Sequence, residues 1–85
     1  MNNTQRVSDT REVDIVVHIA EDLDTQNKQR VAYTMLKTTG IGYASFDKYR
    51  EHLLIIGYDP CRIDSSKILD LVRQQHLNPQ LIVGI

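Results

Sequence analysis

The chemistry this sequence could offer rests on its histidines, one cysteine and an acidic run. His52 and His76 supply imidazole nitrogens, Glu21, Asp22 and Asp24 supply carboxylates, and Cys61 supplies a thiol. Imidazole with carboxylate suits zinc or another borderline ion, whereas thiolate suits softer ones. No His-x-x-x-His spacing puts two ligands on one helix face. The residues to consider as metal ligands are therefore His52, His76, Asp24 and Cys61, and no cofactor is expected. Catalysis has no support in a Gly-rich phosphate loop, a Ser-His-Asp arrangement or a carboxylate pair with reason to differ in pKa. The Glu21-Asp22-Leu23-Asp24 run reads as a solvated helix entrance, where negative charge complements the helix dipole. No enzyme activity is expected.

The elements that must position these residues follow from periodicity. Val13 to Ala20 is β-branched, with Val13, Ile15, Val17 and Ile19 on one face and Asp14, Val16, His18 and Ala20 on the other. Asp24 or Thr25 is placed to cap a helix running to Thr39, with Val31 and Met35, beside Ala32 and Leu36, as its buried stripe. Gly40 sits where a helix end needs a positive φ, and Ile41 is expected to fold back onto Leu36 as a Schellman stop. Tyr43 to Tyr49 alternates as a second strand, with Ala44 and Phe46 inward and Tyr43, Ser45, Asp47 and Tyr49 outward. His52 to Asp59 is a third strand, with Leu54, Ile56 and Tyr58 inward and Pro60 stopping it. Asp64 or Ser65 caps a second helix whose Ile68, Leu71 and Val72 form an apolar stripe. Asn78, as a left-handed residue, and Pro79 are expected to close it. Gln80 to Ile85 is a last strand.

The order is β-α-β-β-α-β. Each helix joins two strands that lie parallel with one strand between them, and right-handed crossovers then put both helices on the same sheet face. The expected fold is α+β, a ferredoxin-like βαββαβ sandwich with a four-stranded antiparallel sheet and two helices on one face. Residues 1–12 read as a flexible N-terminal tail and residues 13–85 as the domain.

Gly-Tyr-Asp-Pro-Cys-Arg-Ile-Asp-Ser-Ser-Lys-Ile-Leu-Asp-Leu-Val-Arg, from Gly57 to Arg73, resembles the strand, Tyr-Asp-Pro, Ser and helix stretch of heavy-metal-associated domains. These are the small copper and zinc chaperones and the N-terminal modules of metal-pumping ATPases. Gly40-Ile41 resembles the Gly-Val after their first helix, and Val31 and Met35 match that helix's buried positions. The resemblance runs from Val13 to Gly84. It implies a Cys-x-x-Cys metal motif in the first β-to-α loop, near Asp24 and Asn27, where this sequence has no cysteine. Oxygen ligands there are poor for monovalent copper. The resemblance therefore implies a degenerate member without the thiol metal site. Cys61 belongs at the opposite end of the sheet, as a connection residue or an intermolecular ligand. The loops bearing His52, His76, Glu21, Asp22 and Asp24 share the other end.

The 85 residues suffice for one domain, with 41% hydrophobic and 25% charged residues and a net charge of −1. No basic stripe or block invites nucleic acid, and no apolar run spans a membrane. With a single cysteine, nothing calls for an oxidising compartment, and a cytoplasmic location is expected. What remains is a sheet face turned away from the helices. It carries Val16, His18, Leu53 and Ile55, with Gly57, Tyr43 and Tyr49 projecting the same way. An open, partly apolar face of this kind marks a partner surface. The expected role is a protein-interaction or accessory module that binds another protein or itself, in the latter case as a homodimer through the open face. The alternative is a metal-handling protein using His and carboxylate ligands or an intermolecular Cys61.

Overall fold

A computed structural model describes residues 12–84. The expected tail at residues 1–11 and the last residue of the expected fourth strand, Ile85, lie outside the described residues. The elements run β1 (Val13–Ile19), α1 (Thr25–Leu36), β2 (Ile41–Phe46), β3 (Leu53–Tyr58), α2 (Ser65–Arg73) and β4 (Pro79–Val83). The sheet order is β2-β3-β1-β4 with every neighbouring pair antiparallel. This is the expected ferredoxin-like arrangement. β1 and β2 are parallel across β3, and β3 and β4 are parallel across β1.

Alternation makes one sheet face apolar throughout. Its rows are Val13–Tyr58–Ile41, Ile15–Ile56–Ala44 and Leu81–Val17–Leu54–Phe46, closed by Ile19 against Pro79. Val31 and Met35 from α1, and Ile68 and Val72 from α2, lie at i, i+4 spacing and join this same cluster, so both helices cover this face. Each helix starts on an aspartate that satisfies a free amide: Asp24 Oδ1 accepts from the Asn27 amide and Asp64 Oδ1 from the Lys67 amide, both at 2.8 Å.

Three boundaries differ from the sequence expectation. α1 stops at Leu36, because the Thr38 amide donates to the Met35 carbonyl and tightens the last turn. Leu36 is left 45% exposed, and Ile41 enters β2 opposite Tyr58, so the expected Schellman contact does not form. Gly40 does adopt a positive φ, at +99°. β2 occupies Ile41–Phe46 where Tyr43 to Tyr49 was expected. A bulge between Ile41 and Tyr43 puts Ile41 and Ala44 on the same face, which breaks the period of two. Asp47 then accepts from the amides of Tyr49 and Arg50 and turns the chain, so Tyr49 is 86% exposed in the turn and off the sheet face.

The left-handed residue after α2 is His76, at φ 65°, and not Asn78. Its amide donates to the Arg73 carbonyl, and the reversal tucks Leu77 into the core. A side chain at positive φ carries strain that glycine lacks. His76→Gly should therefore stabilise the domain by up to about 1 kcal/mol in urea unfolding. A loss of stability would show that the imidazole makes a contact worth more than the strain.

Candidate functional site

The opposite sheet face has no helix over it. Residues across a ladder share a face, so the register defines its rows. They are Asp14–Gly57–Tyr43 at one end, Val83–Val16–Ile55–Ser45 across the middle, and Gln80–His18–Leu53 at the other end. Val16, His18, Leu53 and Ile55 are each half-buried by their neighbours, while Tyr43 and Val83 are exposed. The centre is apolar from edge to edge. A bulge on β4, between its pairings with Val16 and Val17, accompanies the outward turn of Val83.

The two ends differ in chemistry. At the Gly57 end, Asp14 is joined by Glu12, whose carboxylate lies over Gly42 and beside Gly57. At the other end, the His18 ring stacks on the His52 ring with centroids 5.4 Å apart and planes 19° from parallel. His52 Nδ1–H donates to the Ile19 carbonyl at 2.7 Å, and Nε2 lies 3.0 Å from Asp22 Oδ1. These contacts hold the ring against His18.

The loops carrying the metal candidates do share this end, since Ile19 pairs with Pro79 and His18 with Leu53. Their side chains are otherwise occupied. Asp24 caps α1, and Glu21 accepts from the Asn78 amide at 3.0 Å and from Asn78 Nδ2 at 2.6 Å. His52 meets only Asp22 among the acidic residues, and His76 sits at the turn after α2. Cys61 is exposed in the β3–α2 connection, with its amide donating to Asp59 Oδ1. Among the described residues, no group of three or more His, Cys, Asp or Glu side chains could hold a metal ion. Between the helices lies a groove of about 320 Å³ lined by Leu23, Asn27, Arg30, Val31 and Thr34, where Arg30 is tied to Asn27. It has no convergent set of polar groups of the kind a small-molecule site needs.

The clamp at Glu21 has a measurable consequence. The backbone hydrogen bond from Asn78 is the main cause that holds the Glu21 carboxyl below its usual range. The backbone hydrogen bonds from Arg50 and Tyr49 do the same for Asp47. A carboxyl lowered on folding binds fewer protons in the native state than in the unfolded chain. The stability it contributes is complete above the ordinary glutamate value of 4.5 and is lost as pH falls below it. Urea midpoints measured from about pH 6 to pH 3 should fall less steeply for Glu21→Gln than for the parent chain. Parallel slopes would show that the clamp does not couple to folding.

The fold is similar to that in the crystal structure of a copper binding domain from HMA7, a P-type ATPase. The TM-score is 0.74 at 13% sequence identity, over 82% of this chain and 93% of that one. No protein-family model matches the chain, and neither does any curated protein sequence. The fold is thus heavy-metal-associated-like. Among the described residues, no helix is long and apolar enough to cross a membrane.

Proposed function

We propose that this chain is a non-catalytic cytoplasmic module, descended from heavy-metal-associated domains without their thiol metal site, that binds a protein through the open face of its sheet. The observation that carries this reading is the uncovered apolar strip of Val83, Val16 and Ile55, continued by Leu53 and Tyr43. Rows of this kind, flanked by polar ends, suit a protein partner. The lack of thiols supports the same reading. The β1–α1 loop offers carboxylates already engaged in capping and clamping, and Cys61 lies at the far end of the sheet. One thiol cannot form the paired thiolate clamp that a cuprous ion takes in that family.

Two exposed tyrosines provide the test, Tyr43 on the open face and Tyr33 on α1. Each is replaced by the photo-reactive p-benzoylphenylalanine in the source cell and irradiated. A discrete protein adduct is expected from position 43 and none from position 33. No adduct from position 43, or equal adducts from both, would defeat the reading. For the metal part, competition with a cuprous chelator should show no one-to-one complex of a single subunit, and a tight one would restore the metal site.

A further inference from the structure

The open face is complementary to itself. Its middle row is apolar, its Gly57 end is acidic with Asp14 and Glu12, and its other end carries the stacked imidazoles of His18 and His52. On β1 this reads acid, valine, imidazole at Asp14, Val16 and His18, with the apolar residue at the centre. We propose, resting on the interaction-module reading, that the partner is a second copy of this chain. The two sheets pack face to face about a two-fold axis that crosses the strands at the Val16–Ile55 row.

Such an axis keeps each strand over its counterpart and reverses its direction. Val16 meets the second Val16, Ile55 meets the second Ile55, and Asp14 of each copy faces His18 of the other. The interface is isologous, so every complementary contact occurs twice. A neutral or charged imidazole keeps at least one N–H, which a carboxylate accepts in either state. Packed sheets cross at about 30° and lie about 10 Å apart. Asp14 and His18 each sit about 7 Å along the strand from Val16. The crossing angle therefore shifts them by roughly 4 Å, less than one strand spacing. The acidic groups near the imidazole end have partners of their own: Asp22 contacts His52, and Asp47 accepts the Tyr49 and Arg50 amides. The neighbour of His18 on β4 is the neutral Gln80.

The opposite register, with the axis along the strands, sets Asp14 against Asp14 and His18 against His18. Like charges directly opposed are unfavourable. Electrostatics therefore selects the antiparallel packing, and the apolar centre supplies the attraction. A face of four short strands spans about 20 by 20 Å, which is small for a stable complex, so the dimer is concentration-dependent.

The test uses sedimentation equilibrium on the purified full chain from about 10 μM to about 1 mM, the range of weak complexes. The weight-average mass should rise from the monomer's 9.8 kDa toward twice that value. Asp14→Lys should remain monomeric, because the lysine faces an imidazole. His18→Asp should remain monomeric too, because two carboxylates then oppose each other. An equimolar mixture of the two variants should dimerise, since lysine meets the new aspartate and Asp14 meets His18. Circular dichroism checks that each is folded, and Gln80→Glu, beside His18, substitutes if His18→Asp is not. A parent chain that stays monomeric, a single variant that dimerises as well as the parent, or a monomeric mixture would overturn the proposal. If the chain is monomeric but position 43 still crosslinks to a different polypeptide, the self-pairing fails and the interaction reading stands. If position 43 crosslinks to nothing, both fail.

Discussion

Ile56→Ala should bring the domain close to its unfolding transition at room temperature. Ile56 is fully buried in the centre of β3, between Ile15 on β1 and Ala44 on β2, beneath both helices. Truncation removes apolar atoms from the core and leaves a void. With Ala44 on one side, no larger side chain is placed to fill it from that strand. Isoleucine-to-alanine changes in such sites cost about 2–5 kcal/mol. A chain of 85 residues is expected to have roughly 4–13 kcal/mol in total. Urea unfolding should therefore show the midpoint falling by a third or more, with the slope unchanged. Ile55→Ala, one residue earlier on the half-buried open face, should cost about 1 kcal/mol or less. Equal losses at the two positions would mean that the faces of β3 have been assigned the wrong way round.

Gly40→Ala should be the most damaging substitution outside the core, at about 2–4 kcal/mol. Two independent effects add. The φ of +99° is one that side chains rarely adopt, and a Cβ there would lie 2.9 Å from Ile63 Cγ2 and 3.0 Å from Arg62 Cβ. Neither neighbour is the loose end of a flexible chain. Ile63 is buried, and the Arg62 amide is held by the Asp59 carbonyl. Gly42→Ala offers the contrast, because its Cβ would meet only the movable carboxylate of Glu12 and its φ is not positive. Thermal melting should separate the two variants by several degrees, a difference of 1 kcal/mol being worth about 4–8 °C in a domain of this size. D-alanine at position 40, placed by chemical synthesis, should restore most of the loss, since its mirror-image Cα favours positive φ. A D-alanine variant as unstable as the L form would show that backbone strain is not the cause.

The same neighbourhood explains what the Tyr-Asp-Pro resemblance means physically. Tyr58 is buried in the sheet row with Val13 and Ile41. Asp59 accepts the amides of Cys61, Arg62 and Ile63, and its own amide donates to the Gly40 carbonyl. The stretch that carries the resemblance builds the β3–α2 turn, at the end of the sheet away from the β1–α1 loop. It is therefore a signature of architecture, and it explains how the fold is shared without the metal ligands.

Much of that architecture was legible because buried strands alternate. Ile15, Val17 and Ile19, and then Leu54, Ile56 and Tyr58, announce one inward face, and Val16, His18, Leu53 and Ile55 fall on the other by the same count. Where a bulge interrupts the count, the reading slips. The extra residue at Gly42 hides that Ile41 already belongs to β2, and the β4 bulge sits in an unbroken Leu-Ile-Val run that has no alternation to reveal which residue turns outward. Val83 was missed as part of the open face for that reason. Glu12 was missed because it looks like tail and lies against Gly42 only once β2 and β3 are paired. The His18–His52 stack depends on the register between β1 and the β2–β3 turn, which no local pattern encodes.

β1 is an interior strand whose two partners come from later in the chain, β3 and finally β4. During synthesis, β1 therefore waits longest for its second neighbour. Until residues 79–83 emerge from the ribosome, one flank of Val16–Ile19 is an open template for another nascent chain. The pairing of first strand with last closes that flank. It also ties the completion of the domain to sequence more than sixty residues downstream of β1, a long loop closure of the kind that slows folding. Pulse-labelling of amides during refolding should find β4 among the last elements to gain protection, and early protection there would reverse this order of assembly.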